Sequence, residues 1–222
     1  MLRIDLHMHT CFSPDSVMKP EELVDRCLET GLNYIAVTDH NTIEGARQVR
    51  ALASFPVIIG EEIKSLGGEI IGLFLRDPVP KGLSPLETVK RIKEQGGLVS
   101  IPHPFDHFRR SVIRREALQE ILPYVDIVEV FNARNTLQRD NRKALDLALE
   151  YDILMSAVSD SHTPMEVGRP YVEIPDFDGT PSGLRQALIQ GTLVRRQITP
   201  LIHFLTTFTK CRKRLAHLRH GD

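Results

Sequence analysis

Cysteine is scarce in this chain: Cys11, Cys27 and Cys211 are the three in 222 residues, and none forms a C-x-x-C pair. An odd, dispersed set excludes a disulfide framework and a thiolate zinc site, and it is the usage expected in a reducing cytoplasm. Net charge is also lacking. Lysine plus arginine number 28 against 29 acids, a formal charge of -1, so no global field draws the chain to nucleic acid or to an anionic membrane. No apolar run approaches the roughly 20 residues of a membrane span, and ligand-type residues appear by His7 where a secretion leader would be apolar. Internal repeats and low-complexity segments are missing too.

What is present is a regular alternation of strand and helix signals, in a length that can bury one sizeable core. Leu2 and Ile4 alternate with Arg3 and Asp5 as in a half-buried strand. A polar turn follows, holding Asp15, and Lys19-Pro20-Glu21-Glu22 opens a helix whose face is Leu23, Val24, Cys27 and Leu28, ended by Gly31. A strand at 34–37 precedes a Thr42-capped helix with Ile43, Ala46, Val49 and Leu52 inward. Val57-Ile58-Ile59 reads as a third strand, and Ile63 to Phe74 as a hairpin with Gly67-Gly68 at its tip. Ser84-Pro85-Leu86-Glu87 starts a helix to Gln95, followed by a strand at 98–101. A helix within 114–122, a strand at 126–131, a helix at 139–151 and a strand at 153–158 come next. Val172-Glu173-Ile174 and a helix from Thr180-Pro181 to Ile189 complete the alternation. Repeated βα units with short connections predict a parallel sheet.

The strands end in metal-ligand residue types. His7 and His9, two apart on a strand, emerge on one face, and similar punctuation recurs at Thr38-Asp39-His40, Gly60-Glu61-Glu62, Pro102-His103-Pro104 and Ser159-Asp160-Ser161-His162. Closure of the sheet as a barrel would gather these ends around one mouth, whereas an open sheet would spread them along a line. The candidate donors are His7, His9, Asp15, His40, one of Glu61 or Glu62, His103, Asp160 and His162, with Glu69 and Glu129 in reserve. One first-row ion takes four to six ligands, so this set predicts two or three divalent ions, and mixed imidazole and carboxylate ligation suits Zn, Mn or Fe. Clustered ions that hold a hydroxide and neutralise a leaving oxygen favour hydrolysis of a phosphate ester. No serine or cysteine nucleophile is then needed, and Cys11 and Ser13 read as loop residues.

In this order, His7-x-His9, Asp15, Thr38-Asp39-His40, Gly60-x-Glu62, Pro102-His103-Pro104 and Ser159-Asp160-Ser161-His162 resemble the PHP family, the polymerase and histidinol phosphatase domain of metal-dependent phosphoesterases. The resemblance runs from Met1 to about Ile189. It implies a distorted (βα)7 TIM-like barrel, taken over residues 1–200; the composition of the remaining 201–222 makes them a basic tail that can be helical. It further implies a first ion on His7, His9, Glu62 and Asp160, a second shared between Glu62 and His103, and a third on Asp15, His40 and His162. The choice of Glu62 over Glu61 comes from the family pattern alone. Catalysis would rest on His7, His9, Asp160 and His162, with Asp5 and Asp39 as structural partners that orient histidines.

One position departs from the pattern: Glu69 stands where the family commonly has a histidine, which leaves it either a ligand through carboxylate oxygen or an exposed hairpin residue. Arg134, His107 and Arg109 are the candidates for gripping substrate, since a guanidinium binds phosphate oxygens as a fork, and Glu129, inside an apolar run, needs a partner if buried. The expected substrate is a small phosphomonoester or a nucleotide phosphodiester, with nucleic acid as a variant and no membrane partner. Two other readings are a non-catalytic module within a larger assembly and a metal-dependent amidohydrolase.

Overall fold

The computed structural model describes residues 1–196. The basic tail predicted over 201–222, and with it Cys211, lies outside the described residues. Strands β1 (Leu2–Asp5), β2 (Tyr34–Val37) and β3 (Val57–Ser65) run parallel, with α1 (Pro20–Thr30) and α2 (Glu44–Leu52) as crossovers. β3 is one nine-residue strand that carries straight through the Gly60-Glu61-Glu62 segment at which the sequence pattern ends it. It turns at Leu66 and Gly67 into β4 (Gly68–Leu73), which is antiparallel both to β3 and to β5 (Leu98–Ile101). Parallel pairing then resumes through β6 (Ile127–Asn132) and β7 (Leu154–Val158). The helices α3 (Pro85–Glu94), α4 (Arg115–Ile121) and α5 (Gln138–Glu150) connect this half. β1, β2, β3, β5, β6 and β7 therefore share one direction, and β4, running against them, presents its N-terminal end at the mouth.

The chain closes with β8 (Tyr171–Ile174), α6 (Pro181–Ile189) and β9 (Thr192–Val194), giving the sheet order β7-β6-β5-β4-β3-β2-β1-β8-β9. β8 corrects the expectation of a further parallel unit, because it pairs antiparallel with β1, Leu2 opposite Ile174. A parallel return needs a crossover element, and the segment between β7 and β8 carries only a short 3₁₀ turn at Pro164–Glu166. The short strand β9 had no signal in the sequence and is antiparallel to β8.

The sheet curls until the outgoing ends of β1 and β7 meet. Met8 and Ser161 form a parallel bridge, the Asp160 N–H donates to the His7 carbonyl and the His9 N–H to the Ser161 carbonyl, both at 2.9 Å. The result is a nearly closed, distorted α/β barrel. Alternation along each strand sorts its side chains into two layers. Ile35, Val37, Ile59, Ile63, Ile70, Val99, Ile101, Val128 and Val130 pack outward against Leu23, Cys27, Ala46, Val49, Val89, Ile92, Leu118 and Ala144 of the helices. Ala36, Ile58, Ile71, Leu73, Leu98 and Ile127, on the opposite face, form a second cluster with Leu184, Ala187 and Leu188 of α6. Leu28 and Leu52, which helical spacing places on inner faces, are 55% and 49% exposed. Both stand near the C-terminal ends of their helices, at the margin of the apolar stripe. No helix among the described residues is long and apolar enough to cross a membrane.

The hairpin turn is set by glycine. Gly68 has φ +130°, and a Cβ there would lie 2.3 Å from the Ile113 Cα, so the 110–114 loop is packed against bare backbone. Gly82 has φ +80°, and a Cβ there would meet nothing within 4 Å. Thermal or urea unfolding should therefore separate two alanine substitutions. Gly82→Ala costs about 1–2 kcal/mol of left-handed strain, and Gly68→Ala costs at least about 1 kcal/mol more because the loop must also move. Equal losses would contradict the close approach.

Candidate metal centre

The ligand-type residues meet because the strands continue as irregular ladders past their formal ends. Beyond β2, His40 bridges in parallel to Glu62, with the Glu62 N–H on the Asp39 carbonyl (3.2 Å) and the Asn41 N–H on the Glu62 carbonyl (3.0 Å). The Thr38 N–H reaches the Met8 carbonyl at 2.8 Å, and the β1 to β7 bonds complete the rim. His103 (φ +29°) and Asp160 (φ +52°) both adopt left-handed backbone conformations where their strands turn over the mouth. Such geometry costs of order 1–3 kcal/mol per residue and persists where the surroundings impose it.

Four side chains from three segments form the tightest group. His7 Nε2 is 2.9 Å from His9 Nε2, 3.4 Å from Glu62 Oε2 and 3.6 Å from Asp160 Oδ1. His9 Nε2 lies 3.3 Å from Glu62 Oε2 and 3.4 Å from Asp160 Oδ1. An ion with tetrahedral bonds of about 2.05 Å requires ligand atoms about 3.3 Å apart, close to this spread. A second group joins them through Glu62, whose Oε1 is 3.2 Å from His103 Nε2. The third is built on Asp15 Oδ2, 3.3 Å from His40 Nε2 and 3.4 Å from His162 Nε2. Glu69 completes the second group: its oxygens are 3.9 Å from His103 Nε2 and 4.0 Å from His40 Nδ1, and the residue is buried, so the exposed-hairpin reading falls. Its position follows from β4 running backwards, which brings the second residue of that strand to the mouth.

Each of three imidazoles is anchored through Nδ1, which turns Nε2 inward. His7 donates to Glu129 Oε1 (2.6 Å), His9 to the Ser13 hydroxyl (3.0 Å) and His162 to the Asp160 carbonyl (2.8 Å). Glu129 also accepts the His103 N–H (2.9 Å) and an Asn132 amide hydrogen (2.9 Å), and the same amide reaches Asp160 Oδ2 at 3.2 Å. Asp39 accepts from the Thr10 backbone and hydroxyl and from Ser13, and a Cβ on Gly45 would lie 1.9 Å from it, so only glycine lets α2 approach. Asp5 accepts the backbone N–H groups of His7 and Ser159 at 3.2 Å. Both aspartates thus hold backbone and orient ligands.

The electrostatics match a cation site. Burial raises the cost of charge on Asp160, yet Arg109, His7 and His162 around it hold its carboxyl well below the ordinary range. Burial is likewise outweighed at Glu62 by His40, His7 and His103, which keep it ionised. Burial, with Arg134 and His9 nearby, pushes His162 down to about 3, and burial lowers His9. Two carboxylates are thus anionic and two imidazoles neutral, the ligand-competent forms. Burial would lower His7 and His40 as well, but the carboxylates around them prevail, raising His7 well above its ordinary value and His40 to about 9. Glu69 is raised by burial and by the neighbouring charge of Glu62. The buried Glu62 Oε2, Asp160 Oδ1 and Glu69 Oε2 accept no hydrogen bond. Buried carboxylate oxygens aimed at one another without donors are expensive unless a cation joins them, so the donor set fits divalent ions.

The substrate-side candidates divide. Arg109 reaches the centre, its Nη2 on Asp160 Oδ2 and its Nε 3.0 Å from Asp106 Oδ2. Arg134 stands beside His162, with Nη1 3.4 Å from the Asp160 carbonyl and 3.5 Å from Glu166 Oε1. His107 is not brought into the cluster: it is exposed, with its ring edge-on to Phe108 and its N–H on Asp140. Sequence reasoning missed Ser13, Asp106 and Glu166. Glu166 holds the His162 and Thr163 N–H groups at 2.8 Å, and its only sequence signal is the Thr163-x-x-Glu166 capping pattern.

A family model described as PHP domain matches residues 5–173. An uncharacterized protein of Methanocaldococcus jannaschii is 37% identical over 181 residues, covering 80% of this chain and 72% of its own. A 5′-3′ exoribonuclease of Haemophilus influenzae is 34% identical over 100 residues, 42% of this chain and 36% of that protein. A solved two-domain protein of Bacteroides vulgatus, described as containing a predicted PHP-like metal-dependent phosphoesterase, superposes with a TM-score of 0.71 at 22% identity over 95% of this chain and 70% of that one. With a family match across more than three quarters of its length and this arrangement of strand ends, the chain belongs to the PHP domain family.

Proposed function

We propose that the protein is a cytoplasmic metal-dependent hydrolase of phosphate esters, acting on a phosphomonoester or a nucleotide phosphodiester. The observation that carries this reading is the buried convergence of His7, His9, Glu62 and Asp160 at tetrahedral spacings, with the Asp15, His40, His162 and His103, Glu69 groups alongside. The partial likeness to an exoribonuclease supports the nucleotide side of the choice. Two or three divalent ions of the Zn, Mn or Fe kind, held by these groups, would polarise the phosphoryl oxygens and supply an activated water at neutral pH.

The chain's own residues prepare that chemistry. Glu129 fixes the His7 tautomer and tethers the His103 backbone, so one carboxylate sets two ligand segments. Ser13 does the same for His9 through Asp39. Arg109 screens and orients Asp160 while leaving its Oδ1 to the centre. Arg134, beside His162, would meet the non-bridging oxygens of a phosphate through its guanidinium. His162, low in pKa, stays neutral and ligating through the physiological range.

Protein reconstituted with Mn or Zn should release nitrophenol from p-nitrophenyl phosphate, and His7→Ala or Asp160→Ala should abolish turnover while circular dichroism stays native. Failure of the loaded protein on a broad phosphate panel, or fewer than two ions per chain by elemental analysis, would favour the non-catalytic reading. Glu129→Gln, which keeps shape and loses the charge behind His7, should lower metal affinity or activity by about 10–100-fold. Because ligation needs unprotonated imidazoles and His40 titrates near 9, cations compete with protons. Affinity should fall as pH drops from 8 to 6, with a heat of binding at pH 7 that varies with the buffer's ionisation enthalpy. A pH-independent affinity would contradict histidine ligation.

A further inference from the structure

Strand β6 does not alternate evenly. Against β7, Glu129 stands opposite Ser156 and Phe131 opposite Ala157, so a residue of β6 is inserted between two that are neighbours in the ladder. An extra residue of this kind is a β-bulge, and it turns the side chains beyond it to the other face. Glu129 and Asn132, three apart, would point to opposite faces of an even strand. Here both point into the mouth of the barrel, Glu129 onto the His7 ring and Asn132 onto Asp160, and the two side chains meet at 2.9 Å.

Asn132 is fully buried, and both ends of its side-chain amide are used. Nδ2 donates to Glu129 Oε2 (2.9 Å) and to Asp160 Oδ2 (3.2 Å), and Oδ1 accepts the Arg134 N–H (2.9 Å). The orientation of the amide is forced, because carboxylates accept and a backbone N–H donates, so nitrogen must face the first pair and oxygen the second. Behind it, Asn141 of α5 accepts the Asn132 N–H (3.1 Å) and the Asn135 side-chain amide (2.7 Å), and the Asn135 N–H returns to the Asn132 carbonyl (3.1 Å). The turn that carries Arg134 is thus closed on Asn132 from both sides. Arg134 in turn sends Nη1 back to the Asp160 carbonyl at 3.4 Å. One amide therefore stands between a carboxylate of the centre and the arginine beside it, touching the side chain of the first and the backbone of the second.

From this arrangement we propose that Asn132 is a positioning residue that couples the two halves of the site. Its nitrogen, with Arg109, occupies Asp160 Oδ2 so that Oδ1 alone is presented to the ions, and its oxygen fixes the turn from which Arg134 reaches the phosphate. The inference rests on the phosphoesterase reading of the centre and adds to it a link between metal holding and phosphate binding.

The probes are cobalt(II), whose visible absorption reports coordination geometry, and inorganic phosphate, each titrated into the full chain. Asn132→Leu keeps the volume and loses both ends of the amide. It should weaken cobalt binding by about tenfold, alter the visible bands, and weaken phosphate binding to the cobalt-saturated protein by about tenfold. Arg134→Ala should weaken phosphate as well, and the double variant should lose no more than Arg134→Ala alone, because the Asn132 contribution to phosphate runs through Arg134. Asn132→Asp keeps the acceptor and loses the donors, so phosphate affinity should return to within about twofold of wild type while the cobalt spectrum stays altered. A residue that only fills space would shift the melting temperature and move neither the spectrum nor the cycle. An unchanged cobalt affinity and spectrum in Asn132→Leu, or additive phosphate losses in the double variant, would overturn the coupling. Should Asn132→Leu not fold by circular dichroism, Asn132→Asp decides: split readouts support the coupling, and any other result overturns it. Cobalt-loaded protein that neither binds phosphate nor turns over p-nitrophenyl phosphate would sink the phosphoesterase reading together with the Arg134 half of the coupling, leaving the spectrum to decide the Asp160 half. Turnover with Asn132→Leu indistinguishable from wild type would keep the reading and remove Asn132 from it.

Discussion

The few backbone hydrogen bonds joining the outgoing ends of β1 and β7 are the constraint on which the rest depends. They bring the first nine residues of the chain against residues 160 and 161, and so place His7 and His9 opposite Asp160. Without that seam the sheet would be open, with β1 and β7 separated by five strands. The seam is short, and β8, paired with the start of β1, supports it from the other end. Distortion of the barrel is the consequence: closure occurs at the mouth, where the ligands are.

Gathering so many ionisable groups in a buried pocket requires that each be compensated. Glu129 illustrates how: one carboxylate takes the His7 ring, the His103 backbone and the Asn132 amide, while Asn132 passes a second hydrogen to Asp160. Arg109 supplies the nearest opposite charge to Asp160, and Glu166 opposes Arg134 beside His162. Glu62 Oε2, Asp160 Oδ1 and Glu69 Oε2, three buried carboxylate oxygens that accept no hydrogen bond, face the centre itself. Hydrogen bonds hold the backs of His7, His9 and His162, while these carboxylate oxygens are left to the centre.

The reversed strand explains the departure from the family pattern at Glu69. Since β4 enters the mouth by its N-terminal end, Glu69 is aimed inward and buried, and its carboxylate can stand where an imidazole commonly does. The same turn exposes Lys64 next to Glu69 and receives the 110–114 loop on bare glycine backbone.

Several features could be read from residues alone because they rest on local periodicity and short-range chemistry. The strand and helix alternation, Gly31 closing α1 at φ +75°, and ligand types at five strand ends needed no knowledge of distant contacts. The partners Ser13 and Asp106 had no such signature, and Glu166 only a capping pattern, since a polar loop residue acquires its role from what the fold sets beside it, as Ser13 does from Asp39, 26 positions away. The direction of β8, the burial of Glu69 and the exposure of His107 were likewise undetermined, because pairing partner and burial are properties of the closed sheet. The sequence by itself determined which chemical groups stand at the strand ends. Only the tertiary structure decided which of them share a pocket, because their distances across the mouth depend on how far the sheet curls and where its first and last parallel strands join.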